Sequence, residues 1–270
     1  MGSRDYSEHL RLASFATDPA IRQAIQGLEL PAGGVGLDAG CGIGQQSAML
    51  AESIGSDGRV VGIDICSDHL SAAQEMATLR GLSGRLQFVQ GSLAALPFAD
   101  AAFDWVWCAD TLWPSIFPDP VAGVRELARV VTPGGAVALA YWSSHNLLPG
   151  YPLLEARLNS AFVATTPYLA GMPPRLHFLR ALGWLREAGL QPTSAHSYVA
   201  EVQAPLTQEL REAVAFCLSM LWGNLEPHLS QDDWHDYQRL CREDSDQFVL
   251  DSPDYYGFLT YTLFRGEVAA

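Results

Sequence analysis

From residue 35 onward, short apolar runs alternate with amphipathic stretches, and that alternation constrains the fold more than any other feature of the chain. "GVGLDA", "RVVGIDI", "RLQFVQGS", "FDWVWCAD" and "GAVALAYW" read as strands buried on both faces. Between them, "QQSAMLAESIG" reads as a helix closed by Gly55, and "SDHLSAAQEMATLRG" as one capped by Ser67 and ended by Gly81. "DPVAGVRELARVV" places Val121, Val124, Leu127 and Val131 at helical spacing, and "LHFLRALGWLREAGL" turns Phe178, Leu182 and Leu185 inward. "TSAHSYVAEVQ" and "YYGFLTYTLFRGE" are two later strands. Strand, helix, strand, repeated with short joints, predicts an α/β fold: a doubly wound, mostly parallel sheet with helices on both faces.

Three regions depart from that rhythm. Residues 1–30 read as helical, with Asp18 as an N-cap, Pro19 at a first helical position and Ile21, Ile25 and Leu28 on one face. Residues 143–175 read as irregular, rich in proline and aromatics. Residues 205–247 read as one or two helices with Leu206, Leu210, Val214, Cys217 and Leu221 on a stripe. The last two are expected as insertions forming a helical cap at one end of the sheet, where long excursions usually carry function. With 270 residues, one domain spanning 1–270 accommodates all of this.

Composition removes several classes of function. Hydrophobic residues make up 49% and charged ones 17%, which suits a buried core. Sixteen basic side chains against thirty acidic ones leave a formal charge of -14, without a Lys/Arg run to relieve it, so nucleic acid is not the expected partner. Five scattered cysteines without a CxxC pair read as reduced thiols. "MGSRDYSEHLRL" has no apolar signal core, and no uninterrupted apolar run reaches membrane-spanning length. The expectation is a cytoplasmic protein, without stable membrane insertion, that works as a monomer or homodimer.

The chemistry starts at "VGLDAGCGIGQQSAML", a strand, a glycine loop and a helix start. Backbone N–H groups in such a loop can approach a ligand closely. A dinucleotide fingerprint would place glycine at position 45, where this chain has Gln45. The spacing is G-x-G-x-G through Gly40, Gly42 and Gly44, with Asp38 just before it as a negative charge beside the loop. That charge suits a cationic ligand better than a pyrophosphate.

"LDAGCGIG" resembles the first motif of the class I S-adenosylmethionine-dependent methyltransferases. "VVGIDI", "QGSLAALPFADAAFDWV" and "VRELARVVTPGGAVALAYW" resemble that family's later motifs in the expected order, over roughly residues 33–142, with "LREAGL" afterwards. The most similar subgroup acts on small molecules, of the ubiquinone/menaquinone-biosynthesis type. The resemblance implies a Rossmann-like sheet of seven strands and S-adenosyl-L-methionine as cofactor. It assigns the cofactor contacts to Asp38, Gly40, Gly42, Gly44, Asp64, Ile65, Ser92, Leu93 and Asp110. Asp64 would take the ribose hydroxyls, Ile65 one face of the adenine, and Ser92 or the Leu93 N–H the adenine edge. Family members commonly carry Asp where this chain has Ser92, a shift in the adenine contact. Asp110 would meet the methionine part or the acceptor.

The acceptor side is read from strand ends, which face the ligand crevice of an open sheet. Asp110, Trp113, Trp142 and His145 are the residues there, and His145 is the candidate base, alongside Asp110. Tyr151, Tyr168, Met172, Met220, Trp222 and Trp234 would wall an apolar acceptor pocket, beside Trp113. "QDDWHD" offers Asp232, Asp233, His235 and Asp236, but neighbours on a helix point different ways, so a solvated face and no metal site is expected. The function expected is methyl transfer to O, N or C of a small, largely apolar molecule. A protein or nucleic-acid methyltransferase on the same fold is one alternative, opposed by the charge and by "CADTLWP" where base-methylating enzymes carry an "NPPY"-like motif. A non-catalytic cofactor-binding protein is the other.

Overall fold

The computed structural model describes residues 3–114, 117–167 and 169–270. In chain order the elements are α1 (Ser3–Gln26), β1 (Val35–Ala39), α2 (Gln45–Ser53), β2 (Arg59–Asp64), α3 (Ser67–Leu79) and β3 (Leu86–Gln90). Then follow β4 (Phe103–Ala109), α4 (Pro120–Arg129), β5 (Val131–Asn146), α5 (Pro152–Thr165) and α6 (Ala181–Glu187). The chain closes with β6 (Thr193–Gln203), α7 (Gln208–Trp222), α8 (Gln231–Cys241) and β7 (Tyr256–Glu267).

The strands form one seven-stranded sheet in the order β3-β2-β1-β4-β5-β7-β6. β1 to β5 pair in parallel, while β7 runs antiparallel between β5 and β6. The mostly parallel, doubly wound arrangement expected from the alternation is therefore present. Alternate residues of each strand serve opposite faces. Trp105 and Trp107 (2% and 0% exposed) pack against α1 and α2 on one face, with Ile21, Ile25 and Leu50. Val106, Leu139 and Tyr141 pack on the other face, against Val124 and Leu127 of α4 and Trp184 of α6.

A third apolar cluster lies beyond the sheet. It joins Leu147, Leu148, Leu154 and Leu158 to Leu218, Leu221 and Trp222 of α7 and Leu240 of α8. The excursion after β5 and the one between β6 and β7 thus share a core. Because β1, β2, β4, β5 and β6 run the same way, both excursions leave from the edge that also carries the glycine loop.

Four local expectations are corrected. Asp18 is not an N-cap: α1 continues through Pro19. An internal proline costs a backbone bond, roughly 3 kcal/mol, and here both sides of it are held by burial, Ala16 at 1% and Ala20 at 0% exposure. Residues 143–175 are irregular only in part, at the joint 147–151 and in the described residues after Thr165. β5 runs on to Asn146, and Pro152 stands at the start of α5, where a proline's missing N–H is harmless. The Glu155 carboxylate then fastens the joint by accepting from Leu147 N at 2.7 Å and Leu148 N at 3.2 Å. Ser67 is the first residue of α3 and Cys66 its cap. The stretch ending in "LREAGL" is two single 3-10 turns followed by a helix that begins only at Ala181.

Candidate functional site

The glycine loop begins by clamping onto the neighbouring strand. Gly40 N and Cys41 N both donate to Ile63 O, at 2.8 and 3.0 Å. Gly40 has φ +82°, and a Cβ there would lie 2.2 Å from Thr111 Oγ1. Gly44 has φ +79°, and its Cβ would press on Ala73, Met76 and Phe88. Neighbouring protein, rather than a ligand, excludes side chains at these two positions. Gly42 differs, since among the described residues only Leu10 of α1 comes near its Cβ direction, at 3.5 Å. Gln45 Nε2 donates to Ser14 Oγ at 3.0 Å, so α1 lies over the loop.

Asp64 stands across from that loop at the end of β2. Its Oδ2 accepts from Gly42 N at 3.0 Å and its Oδ1 from Cys66 N at 2.9 Å. Each carboxylate oxygen keeps a further lone pair for a hydroxyl donor. His69 Nδ1 lies 3.6 Å from Oδ1. The next side chain, Ile65, is 72% exposed although it is a large hydrocarbon. Gln90 Nε2 holds the Ile65 carbonyl at 3.0 Å, and Gly91 N donates to Asp64 O at 3.0 Å. The turn with Ser92 and Leu93 is thereby tied to Asp64. Ser92 Oγ accepts from Ala94 N at 3.2 Å, and the Leu93 side chain is buried in the core, leaving its backbone as the polar group it can offer.

Asp38 departs from expectation. Its carboxylate is 2% exposed and accepts from Ser47 Oγ at 2.6 Å, instead of standing open as a charge beside the loop. Burial pushes its pKa up to about 7, with the Asp64 carboxylate adding to the rise and the Ser47 bond opposing it.

Asp110, past the end of β4, has φ +47°, a left-handed conformation that Asp tolerates better than most residues. Its Oδ1 accepts from Trp142 N at 3.0 Å and its Oδ2 from Tyr261 Oη at 2.7 Å. Burial raises its pKa to about 6, against those two donors. Asp110 therefore ties β4, β5 and β7 together at the crevice edge.

His145 lies on the extension of β5, three residues beyond Trp142. Its Nε2 is 2.9 Å from Asn159 Oδ1 of α5, and the same Oδ1 accepts from Trp222 Nε1 of α7 at 3.0 Å. The rings of Trp142 and Trp222 meet His145 edge-on, with centroids 5.8 and 5.7 Å away. Beyond Asn159, a groove of about 710 Å³ runs along α5, lined by Ala156, Ser160, Val163 and Leu169 among others.

The remaining aromatic candidates divide. Trp222 is fully buried beside His145, whereas Trp113 packs edge-on against Tyr141 and Phe178 on the sheet. Trp234 stacks on Tyr237 within α8, and Tyr151 and Met220 are exposed. Tyr168 lies outside the described residues. In "QDDWHD", Asp233 closes the start of α8 with Ser230 and pairs with Arg157, and Asp236 pairs with Arg239. Among the described residues no group of carboxylates, histidines and cysteines is arranged to hold a metal ion.

Sequence reading missed several supports. Tyr261, Asn159 and Ser47 carry no linear motif and meet their partners only through the fold. Arg129 and Glu126 look like ordinary helix charges, yet they brace the turn below Ser92. Arg129 donates to the carbonyls of Phe98 (2.9 Å) and Leu96 (3.1 Å), while Glu126 accepts from Leu96 N (2.7 Å).

Residues 37–139 match the family model of the methyltransferase domain. The chain is 36% identical over 130 residues to a demethylmenaquinone methyltransferase of Desulfitobacterium hafniense, covering 47% of this chain and 49% of that one. It is 33% identical over 171 residues to the 27-O-demethylrifamycin SV methyltransferase of Amycolatopsis mediterranei, covering 62% and 58%. The chain spans about half the length of the curated relatives it matches. The YcgJ protein of Bacillus subtilis has the same fold at 18% identity, with a TM-score of 0.56 over 93% of this chain and 98% of that one.

Proposed function

We propose that the chain, whose residues 37–139 match the methyltransferase-domain family model, is a class I S-adenosylmethionine-dependent methyltransferase that transfers a methyl group to a small, largely apolar acceptor. The observation that carries this reading is the Asp64 carboxylate, bonded to Gly42 of the loop and followed by the exposed Ile65. A hydroxyl-accepting carboxylate next to a solvent-facing hydrocarbon fits a ribose joined to an aromatic base. The Ser92–Leu93 turn, tied to Asp64 through Gly91 N, adds polar groups at the same mouth. The residues present fit the cofactor.

S-adenosylmethionine supplies an electrophilic methyl on a cationic sulfur. This chain's task is to hold, align and dry. Asp64 would bind the ribose hydroxyls, Ile65 and the Ser92–Leu93 turn the adenine, and the Gly40–Gly44 loop the part between them and the sulfur. Asp110, fixed by Trp142 N and Tyr261, shapes the crevice floor where β4 ends. The shared core of α5, α7 and α8 supports a cover over the acceptor, and excluding water while holding reactants at close range is where such a catalyst gains most of its rate. The demethylmenaquinone and 27-O-demethylrifamycin SV methyltransferases support a small organic acceptor.

Isothermal calorimetry tests the reading. S-adenosylhomocysteine should bind the full chain with a stoichiometry of one, and NAD should give no heat. Binding of NAD without binding of S-adenosylhomocysteine would overturn it.

A further inference from the structure

A tryptophan indole nitrogen can only donate a hydrogen bond. The short contact between Trp222 Nε1 and Asn159 at 3.0 Å therefore fixes the atom facing it as the amide oxygen. That oxygen is also 2.9 Å from His145 Nε2. An oxygen accepts, so His145 Nε2 must carry the proton. In a neutral imidazole the other nitrogen, Nδ1, then holds a lone pair. Nδ1 makes no hydrogen bond among the described residues.

We propose that Asn159, anchored by Trp222, is a positioning residue that fixes His145 with Nδ1 as proton acceptor, and that the methyl acceptor is a hydroxyl compound. The proposal rests on the methyltransferase reading and names the acceptor class for it. Asn159 and Trp222 come from α5 and α7, so both excursions from the sheet edge act on one ring nitrogen. The ring is also walled by Trp142 and Trp222, which restrict its rotation. Burial lowers the His145 pKa, opposed by the Asn159 bond and by Glu155 of the same helix, so the ring is neutral and able to accept at neutral pH.

A base is required where the attacking atom arrives protonated. A phenol-like hydroxyl ionises near pH 10 and is a weak nucleophile below it. As its oxygen forms the new O–C bond and the methyl's S–C bond breaks, the O–H proton passes to Nδ1. The positive charge leaves sulfur and appears on the imidazolium, which later gives its proton to water. Such positioned proton transfer contributes typically 10²–10⁴-fold in rate.

The experiment uses the full chain labelled with ¹⁵N-histidine, in which two-bond ¹H–¹⁵N correlations identify the tautomer of His145. Wild type should show protonated Nε2 and bare Nδ1. Asn159→Ala, checked by its melting curve, should release a mixture of tautomers. Asn159→Asp, which still accepts both donors, should keep the wild-type tautomer and raise the titration of the ring by about a unit or more. A protonated Nδ1 in wild type, or an unchanged tautomer in Asn159→Ala, would overturn the assignment. With S-adenosylmethionine, His145→Asn should slow methylation of phenol at least 100-fold and of the more acidic 4-nitrophenol far less. Equal losses, or turnover of aniline and neither phenol, count against a hydroxyl acceptor. Calorimetry with S-adenosylhomocysteine on the same samples separates the two readings. A protein with the expected tautomer and no affinity for that ligand refutes the methyltransferase reading alone.

Discussion

Asp64 Oδ2 accepts a hydrogen bond from Gly42 N at 3.0 Å, so the end of β2 and the middle of the glycine loop are one unit. The other carboxylate oxygen holds Cys66 N and starts α3. One side chain thus organises loop, strand end and helix entry around the place where the proposal puts the ribose.

Asp64→Ala should weaken S-adenosylhomocysteine binding by about 1.5–3 kcal/mol, the scale of hydrogen bonds to a charged group. Asp64→Asn retains one acceptor oxygen and should lose less. The sheet survives in both, because the carboxylate lies beyond its last pairing, Asp64 with Gln90. Calorimetry on folded variants checks this, and unchanged affinity in Asp64→Ala would remove the residue from the site.

The sheet was legible because strand and helix periods differ and the buried strands β1, β2, β4 and β5 are flagged by apolar runs. The order of motifs along residues 35–142 also placed the loop, Asp64 and Ser92 at one edge. What sequence did not show lies in contacts between distant segments. Asp38 reads as an open charge, yet Ser47, nine residues on, meets it only because α2 folds back over β1. Prolines in 143–175 suggest irregularity, whereas Pro152 begins a helix whose partners are far along the chain. Pro19 similarly suggests a helix start, and tertiary packing carries α1 straight through it.

Arg129 is expected to act on cofactor affinity without touching the crevice. It holds the Leu96 and Phe98 carbonyls below the Ser92 turn and pairs with Glu126 and Asp100. Arg129→Met removes those donors and keeps much of the side-chain volume. S-adenosylhomocysteine binding should weaken several-fold, since the turn that carries Ser92 and Leu93 loses the donors that order it. Wild-type affinity in this variant would show that the turn needs no brace.

Asp38 should leave a signature in stability against pH. Its folded pKa is about 7 against an ordinary 3.8, so between those values the folded chain holds a proton that the unfolded chain has released. Stability therefore falls as pH rises through that window, by roughly 1.4 kcal/mol for each unit of difference. Asp110 and Asp18, each raised to about 6 by burial, act in the same direction. Asp38→Asn cannot ionise and can still accept from Ser47. Urea unfolding should find the variant gaining on wild type from pH 4 to pH 8, and an equal difference at both ends would refute the assignment.

The cover over the crevice should respond to the cofactor. Leu10 lies 3.5 Å from the Cβ direction of Gly42, and Ser14 bonds Gln45 at the start of α2. Further along, Ala16 of α1 joins the apolar cluster of α5, α7 and α8. The first half of α1 is thus shared between the glycine loop and the cap, while its second half is fixed on the sheet through Ile21 and Ile25. A ligand that contacts the loop must alter what Leu10 and Ser14 touch, and the cap is linked to them through Ala16. Hydrogen exchange with and without S-adenosylhomocysteine should therefore change in residues 7–17, 152–165 and 208–222. Residues 20–26, held by the sheet, should change least. Exchange that changes only in β1, β2 and the glycine loop would mean that the cap does not sense the cofactor, and the lid reading of both excursions would fall.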